Sequence, residues 1–241
     1  MARFIMGIQP VRELLRAKPA SIHEVLIEDG SAQMDALARF CTDSGVKVSR
    51  VEGRELDSLT KNGRHQGVLA KADELVLVKL QDLPEDPAGL YILLDELEDP
   101  QNFGAIVRSA VAMGATCVFW PEHRAAPLSA AMFRASAGAV EHAQLCRVAK
   151  LQDAIHHLKS MGVSVYGLDM EGATPIATVD MTGPIALVVG AEGKGLRKPI
   201  KGICDGLVSL PMPGPIGSMN ASVAAALAMY EVVRQRGQAA N

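Results

Sequence analysis

The chain lacks several features that would place it in a special class of protein. Its four cysteines, Cys41, Cys117, Cys146 and Cys204, are far apart, and no two of them form a Cys-x-x-Cys pair. No uninterrupted apolar run reaches the roughly 18 residues that a membrane-spanning helix needs. These absences argue against a disulfide framework, a zinc site and a membrane span, and they favour reduced thiols in a core.

The sequence also lacks a secretory signal and a strong positive charge. The N-terminus, MARFIMGIQPVREL, has no apolar segment followed by a small-residue cleavage site, so we expect a cytoplasmic protein. A formal net charge of −3 argues against non-specific coating of nucleic acid. Residues 1–72 nevertheless hold eleven basic and nine acidic side chains, against thirteen and eighteen in the remainder. An anionic partner would therefore contact the first segment.

The composition allows two domains with a linker between them. The 241 residues are 49% hydrophobic and 21% charged, which is ordinary for a globular protein. The segment 80–89, LQDLPEDPAG, has two prolines and three acidic residues and is typical of a linker. We predict a small domain over residues 1–78, a linker over 79–89 and a second domain over 90–241.

Periodicity predicts that both domains are α/β. In the first, strands are predicted at 24–27, 47–51 and 67–70, and helices at 11–15 and 32–41. In the second, the apolar runs LYILLD, CVFW, VSVYGLD, PIALVVG and LVSLPM alternate with helical patterns at 104–113, 128–137, 151–161 and 221–236. Near-continuous apolar strands between helices indicate a parallel sheet covered on both faces.

Three segments follow apolar strands, where parallel sheets bind their ligands. The first, after LYILLD, carries Asn102 and then Arg108. The second is the glycine-rich stretch GAEGKG, which contains Glu192. The third, SLPMPGPIGSMNAS, runs from a strand through a loop with three prolines into an alanine-rich helix. A stiff loop before a helix N-terminus holds its backbone groups in fixed directions, where they can bind a small polar ligand.

Each segment also has an ordinary structural interpretation. The glycine-rich stretch has neither the G-x-G-x-x-G spacing of a dinucleotide site nor a phosphate loop, and Glu192 would repel a polyphosphate while suiting a cation. Arg108 would either face solvent or grip a phosphate. Ser218, Asn220 or Ser222 could simply cap the helix. The histidines match no metal spacing, so no metal site is predicted.

Together, the three segments resemble the signature motifs of the SpoU (TrmH) branch of the SPOUT RNA methyltransferases. The matching text is DELEDPQNFGAIVRSA, LVVGAEGKGL and LPMPGPIGSMNASVAAALAMYE, all within residues 90–236. Upstream, GIQPVRELL and RHQGVLA resemble the small substrate-binding domain that precedes the catalytic domain in some members. The resemblance therefore covers nearly the whole chain.

This resemblance implies a 2′-O-ribose methyltransferase that uses S-adenosyl-L-methionine and works as a homodimer. It implies an α/β fold whose C-terminal parallel-sheet domain forms a deep trefoil knot, behind a small α/β substrate-binding domain. The positions that match the family's catalytic residues are Asn102, Arg108, Glu192, Ser218 and Asn220. In the family the cofactor is held largely by backbone groups, and the matching positions here are Gly190, Leu210 and Met219. Many relatives have Leu at the position of Met219.

The chemistry of these residue types agrees with that assignment. A positively charged sulfonium donor makes the neighbouring carboxylate of Glu192 tolerable. Arg108 is the family's proposed activating residue, but a guanidinium stays protonated and makes a poor general base. We therefore interpret Arg108 as a phosphate clamp that stabilises the developing alkoxide, and leave the base unassigned. The resemblance implies that Ser218 and Asn220 face the reacting ribose, which leaves Ser222 as the expected cap of the helix.

The two-domain architecture resembles members that methylate a guanosine of 23S ribosomal RNA, with transfer RNA as the alternative substrate. The candidate RNA contacts are Arg3, Arg12, Arg16, Arg54, Lys61, Arg64 and His65. A nucleotide-binding oxidoreductase is disfavoured because EDPQNFGA offers one glycine after the strand. A non-catalytic RNA-binding protein of the same fold is a second rival. The apolar stretch 224–233 is the candidate dimer interface.

Overall fold

The computed structural model describes residues 3–61, 63–170 and 174–239. The chain divides into two compact units between Val76 and Leu77, and the segment Ser136–His142 groups with the first unit. Both units are α/β, as predicted. Within the described residues, every helix is too short or too polar to cross a bilayer.

The first unit is a four-stranded mixed sheet with three helices. Its elements are β1 (Arg3–Met6), α1 (Ile8–Ala17), β2 (Ile22–Glu28), α2 (Ala32–Asp43), β3 (Val48–Val51), α3 (Gly53–Thr60) and β4 (Val68–Ala72). The strand order is β1-β4-β2-β3, in which only the β2–β3 pair is parallel. Helix α2 begins after Ser31, whose hydroxyl accepts from the Met34 amide at 3.2 Å. Apolar side chains of α1, α2 and the sheet form one core.

The second unit is a seven-stranded sheet, and it carries every residue predicted for the active site. Its elements are β5 (Leu90–Asp95), α4 (Pro100–Ala112), β6 (Cys117–Pro121), α5 (Ala130–Ala135), β7 (Leu145–Val148), α6 (Leu151–Ser160), β8 (Ser164–Leu168), β9 (Thr174–Pro175), β10 (Ile185–Gly190), α7 (Lys198–Lys201), β11 (Gly206–Ser209) and α8 (Ala221–Ala239). The strand order is β7-β6-β5-β10-β8-β11-β9, and every neighbouring pair is parallel. All the strands therefore end at one edge of the sheet.

Burial explains why the central strands read as unbroken apolar runs. All six residues of β5 are buried, and five of the six in β10 are too. Helices cover the sheet: α6 packs into the core cluster through Leu151, Ile155 and Leu158, and α8 packs against both α4 and β10. A strand buried on both faces cannot alternate with polar residues.

The segment predicted as a linker is part of the second unit. Within residues 79–89, Leu80–Asp82 form one turn of 3₁₀ helix, and Leu80 packs against the core cluster. Just before it, the Val78 amide donates to the Leu145 carbonyl at 2.8 Å. The proline and acidic residues predicted a break in regular structure here. The apolar residues of the segment nevertheless pack against the core of the second unit.

The four cysteines are free thiols, in agreement with the sequence. Cys41, Cys117 and Cys146 are buried and Cys204 is half-buried. Burial raises the pKa of Cys41, Cys146 and Cys204 to about 11. At neutral pH these side chains are therefore protonated and poorly nucleophilic.

Candidate active site

A cavity of about 290 Å³ opens beyond the ends of β8, β10 and β11. Three kinds of segment line it: the ends of those strands, the glycine-rich loop after β10, and the proline-rich loop before α8. The predicted site residues among its walls are Gly190, Glu192, Leu210, Ser218 and Met219. Three segments far apart in the sequence thus meet at one place on the sheet edge.

The loop from Gly190 to Gly195 folds back on itself. Ala191 and Gly195 form an isolated antiparallel bridge, and the Gly195 amide donates to the Ala191 carbonyl at 2.9 Å. A Cβ atom on Gly190 would lie 2.3 Å from the Gly195 carbonyl carbon, so only glycine fits there. This tight turn presents the side chain of Glu192 to the cavity.

An ion pair between a buried aspartate and a half-buried arginine joins the end of this loop to the neighbouring strand. Asp95, the last residue of β5, is fully buried, and its Oδ1 accepts from Arg197 Nε at 2.8 Å and Nη2 at 2.5 Å. Its Oδ2 accepts from the Arg197 backbone amide at 3.0 Å. Hydrogen bonding to Asp95 raises the pKa of the Arg197 guanidinium above its usual value. The sequence analysis did not single out either residue.

Asn220 connects Asn102 and Glu192 with the start of helix α8. Its side-chain nitrogen donates to Asn102 Oδ1 at 3.0 Å and to Glu192 Oε1 at 2.5 Å. Its side-chain oxygen accepts from the Ser222 amide at 2.9 Å, the Val223 amide at 3.3 Å and the Ser222 hydroxyl at 2.6 Å. Both amide protons and the carbonyl oxygen are thus used, which fixes the orientation of the side chain.

Asn220 is therefore also the cap of helix α8, which begins at Ala221. Ser222, the cap expected from the sequence once Ser218 and Asn220 were assigned to the ribose, is not the cap: Asn220 is, because its side-chain oxygen accepts from the amides of the first turn. Ser222 lies inside the first turn. The backbone of Asn102 is held at the start of α4, where Asp99 accepts from the Gln101 and Asn102 amides at 3.0 and 3.3 Å. Two helix N-termini thus position the two asparagines.

Charged side chains of both signs line the cavity, and Glu192 is the carboxylate that is placed to meet a cationic group, beside Lys194 and across from the Asp169–Lys201 pair. Glu192 has the Asn220 amide as its hydrogen-bond donor, and no lysine or arginine of the described part of the chain forms an ion pair with it. Apolar side chains, among them Val189, Val208 and Leu210, form much of the remaining wall. Glu192 is itself exposed, so solvent screens its attraction for a cationic group.

Arg108 stands apart from the other predicted catalytic residues. It lies on α4, its side chain is exposed, and it is not among the residues that line the cavity. In the ranges that the structure describes, it makes no hydrogen bond or ion pair. Asn102, on the same helix, is 5% exposed and faces inward.

Two of the predicted RNA contacts have structural roles instead. Arg3 forms a bidentate pair with Glu141 at 2.7 and 2.6 Å, and the side chains are 12% and 1% exposed. His65 accepts from the Gly67 amide through Nδ1 at 3.1 Å, and its Nε2 lies 3.0 Å from Asp57 Oδ1. Arg16, Arg54, Lys61 and Arg64 are exposed, and Arg12 is half-buried.

The glycine-rich and proline-rich loops hold no metal cluster. Among the residues that the structure describes, no group of three or more His, Cys, Asp or Glu side chains could hold a metal ion.

Comparison with known proteins identifies the family. The SpoU rRNA methylase family matches residues 89–230, and the RNA 2′-O ribose methyltransferase substrate-binding family matches residues 4–76. An uncharacterized tRNA/rRNA methyltransferase of Mycolicibacterium vanbaalenii is 38% identical and covers 98% of this chain and 77% of that protein. The 23S rRNA (guanosine-2′-O-)-methyltransferase RlmB of Xanthomonas campestris is 37% identical over 97% of both chains.

A solved structure agrees with these matches. The SpoU methyltransferase AviRb from Streptomyces viridochromogenes superposes with a TM-score of 0.83 at 26% identity, over 99% of this chain and 91% of that one. Its structure in complex with the cofactor AdoMet gives a TM-score of 0.80 at 27% identity, over 98% and 90% of the two chains. The chain therefore belongs to the SpoU family of RNA 2′-O-ribose methyltransferases.

Proposed function

We propose that this protein transfers the methyl group of S-adenosyl-L-methionine to the 2′-hydroxyl of a guanosine in 23S ribosomal RNA. One observation carries the site assignment: Asn220 joins Asn102 and Glu192 by hydrogen bonds at the rim of the cavity that Gly190, Leu210 and Met219 line. Four of the five residues that the resemblance implied for chemistry, all but Arg108, therefore adjoin those that it implied for cofactor binding.

The lining of the cavity suits S-adenosyl-L-methionine. Its apolar walls suit an adenine ring, while the backbone groups of Gly190, Leu210 and Met219 supply hydrogen bonds of fixed direction. When bound, the cofactor supplies an electrophilic methyl group on a sulfonium cation. Glu192 has no cationic partner within the described residues, so its charge is available to such a ligand. The AviRb complex with AdoMet supports the same assignment.

The chain's own residues then have separate tasks. Asn220 holds the Glu192 carboxylate and the Asn102 amide in fixed positions. The exposed Ser218, at the cavity wall, is positioned to hydrogen-bond the incoming ribose. Arg108, exposed on α4, binds a backbone phosphate of the RNA and stabilises negative charge on the attacking oxygen. Because a guanidinium stays protonated, this role is electrostatic and leaves proton removal to another group.

The choice of ribosomal RNA is supported by the Xanthomonas relative, whose match covers both chains almost completely. The Mycolicibacterium relative carries the broader description tRNA/rRNA methyltransferase, which keeps transfer RNA as the alternative. The first unit would contribute RNA contacts through Arg12, Arg16, Arg54, Lys61 and Arg64. A protein acting on ribosomal RNA would work in the cytoplasm.

We propose further that the enzyme is a homodimer whose interface includes α8. Four large apolar side chains of this helix are exposed: Val223 by 48%, Leu227 by 43%, Tyr230 by 53% and Val233 by 38%. Their spacing of three or four residues places them on one face of the helix. An apolar stripe of this kind on a surface helix indicates a protein interface.

The function is tested with purified protein, radiolabelled S-adenosyl-L-methionine and two RNA substrates, a 23S ribosomal RNA and a transfer RNA pool. We expect label in the ribosomal RNA, at a guanosine whose 2′-O-methyl group is then mapped by resistance to alkaline hydrolysis. Glu192→Gln should reduce transfer strongly. Glu122→Gln, which changes an exposed glutamate outside the cavity, serves as its control.

Each alternative has its own outcome in this experiment. Label in transfer RNA alone would overturn the choice of substrate and leave the activity in place. No binding of S-adenosyl-L-methionine by isothermal titration, together with retained RNA binding, would identify the non-catalytic RNA-binding protein.

A further inference from the structure

The cavity has a second polar wall, which neither the sequence motifs nor the proposed chemistry uses. Asp169 directly follows β8, lines the cavity, and has a side chain that is 6% exposed. Lys201, the last residue of α7, lines the same cavity, and its Nζ forms an ion pair with Asp169 Oδ2. A nearly buried carboxylate that borders a ligand cavity needs an explanation.

The surroundings of Asp169 hold its carboxylate in place beside the glycine loop. Its backbone amide donates to the Val208 carbonyl at 3.0 Å, which ties the residue to β11. Its Oδ2 lies 4.0 Å from where a Cβ atom on Gly195 would be. Because Gly195 has no side chain, nothing at that position covers the carboxylate. Asp169 thus borders the six-residue loop, from Gly190 to Gly195, that contains Glu192.

A carboxylate at the carboxyl end of a parallel strand is well suited to bind a ribose. It accepts hydrogen bonds from both vicinal hydroxyls, as acidic residues do at the strand ends of dinucleotide-binding folds. The charge of a carboxylate is spread over two oxygens with about four acceptor sites, and the ion pair with Lys201 engages one of those oxygens, Oδ2. In an adenosyl sulfonium the ribose is one carbon from the sulfur, which places it next to the group that Glu192 attracts.

We infer that Asp169 binds the 2′- and 3′-hydroxyls of the ribose of S-adenosyl-L-methionine, and that Lys201 is the positioning residue for its carboxylate. This inference rests on the proposed function, because it assigns a role within the same cofactor site. The ion pair would hold the Asp169 carboxylate in one orientation before the ligand arrives. The zwitterionic head of the cofactor is a weaker candidate for this wall, because binding it would require the ion pair to separate.

Isothermal titration with three ligands tests the inference without measuring methyl transfer. The ligands are S-adenosylhomocysteine, 5′-methylthioadenosine, which lacks the amino-acid head, and the 2′,3′-dideoxy form of 5′-methylthioadenosine. We expect the wild-type protein to prefer the diol to the dideoxy ligand by about tenfold or more, as for hydrogen bonds to a charged group. Asp169→Ala should weaken both diol ligands by a similar factor and bring that preference close to one.

Matched variants separate this role from a general effect on folding. Asp205 forms an ion pair with Lys159 at 2.7 Å in the same unit, is more exposed than Asp169 and does not line the cavity, so Asp205→Ala should keep the diol preference. Lys201→Met should reduce the preference by less than Asp169→Ala does. The preference is a ratio within one sample, so it does not depend on the folded fraction, and Asp169→Asn supplies a second variant if Asp169→Ala does not fold.

Three results would overturn the inference in distinguishable ways. If Asp169→Ala keeps the full diol preference, the ribose is bound elsewhere, and the proposed function stands. If Asp169→Ala and Lys201→Met weaken S-adenosylhomocysteine but leave 5′-methylthioadenosine unchanged, the pair binds the amino-acid head instead. If the wild-type protein binds none of the three ligands, the proposed function fails together with the inference.

Discussion

The side chain of Asn220 divides its hydrogen bonds between a helix and the reactive groups. Replacing it with serine should separate these two tasks, because serine caps a helix about as well as asparagine but has no second donor for Glu192 and Asn102. We expect Asn220→Ser to lose most methyl-transfer activity with little change in stability. Asn220→Ala should lose similar activity and also about 1 kcal/mol of unfolding free energy.

Urea unfolding and initial rates of methyl transfer, measured on both variants, check this prediction. Wild-type activity in Asn220→Ser would show that the bonds to Glu192 and Asn102 are dispensable.

Substitutions of Arg108 can distinguish a role for its positive charge from a role for the shape of its guanidinium group. Because its side chain is exposed, substitutions there should leave stability within about 0.5 kcal/mol. Under the proposed electrostatic role, Arg108→Lys should retain a measurable part of the activity, whereas Arg108→Ala should lose nearly all of it. Arg147→Ala, at an exposed arginine outside the cavity, is the control for a general loss of positive charge. Equal and complete loss in both Arg108 variants would count against simple charge stabilisation.

Local sequence signals found only part of this site. Gly190, Glu192 and Asn220 lie in short, contiguous sequence motifs. The bond between Asn220 and Asn102 spans 118 positions, and the pair of Arg197 with Asp95 spans 102, so no periodicity could have indicated either contact. Asp95 and Asp169 did carry a usable signal, since each is an acidic residue at the end of an apolar strand run.

At the level of elements, the glycine-rich loop is the most constrained. Gly190→Ala would place a methyl group 2.3 Å from the Gly195 carbonyl carbon, which forces the loop to open and moves Glu192. We expect a loss of S-adenosylhomocysteine binding of about 100-fold, and a lower melting temperature of the kind that overpacking produces. Gly214→Ala is the matched control, because nothing lies within 4 Å of its added Cβ. Normal binding by Gly190→Ala would mean that the loop adapts freely.

Complete burial made some elements easy to predict, and short length hid others. Strands β5 and β10 were recognised because both faces are covered by helices and their text is uniformly apolar. Strands β1 and β7 were missed: each has four residues including an arginine, Arg3 or Arg147, which breaks the apolar run. Helix α3 was missed too, since Leu56 is its one buried residue and gives no visible stripe.

In the second unit, strands that are neighbours in the sheet are not always neighbours in the sequence. Strand β10 lies between β5 and β8, both of which precede it in the sequence, and β11 lies beyond β8. The trefoil knot that the resemblance implies stays a prediction. A chain truncated after residue 205 loses β11, the proline-rich loop and α8, and we expect it to bind no S-adenosylhomocysteine in titration. A chain that ends at residue 236 keeps the Arg236 hydrogen bonds to Ala88 and Gly183 and is its control.

Assembly is the second property at this scale. Leu227→Glu and Tyr230→Glu place charge on the exposed apolar face of α8, and each should convert the proposed dimer to monomers. Light scattering after size-exclusion chromatography measures the mass directly. Val76→Glu is a suitable control, because Val76 is 84% exposed and lies on neither helix nor strand. A monomeric wild-type protein at micromolar concentration would contradict the proposal.

The double task of Asn220 also bears on how descendants of this protein could lose their activity. A gene copy released from selection for methyl transfer, but still selected for a stable RNA-binding fold, must keep an acceptor oxygen at the start of α8. Such copies should accumulate serine, threonine or aspartate at this position, while alanine or larger apolar residues stay rare. The residue at position 220 would then serve as a genomic marker that separates inactive paralogues from working enzymes.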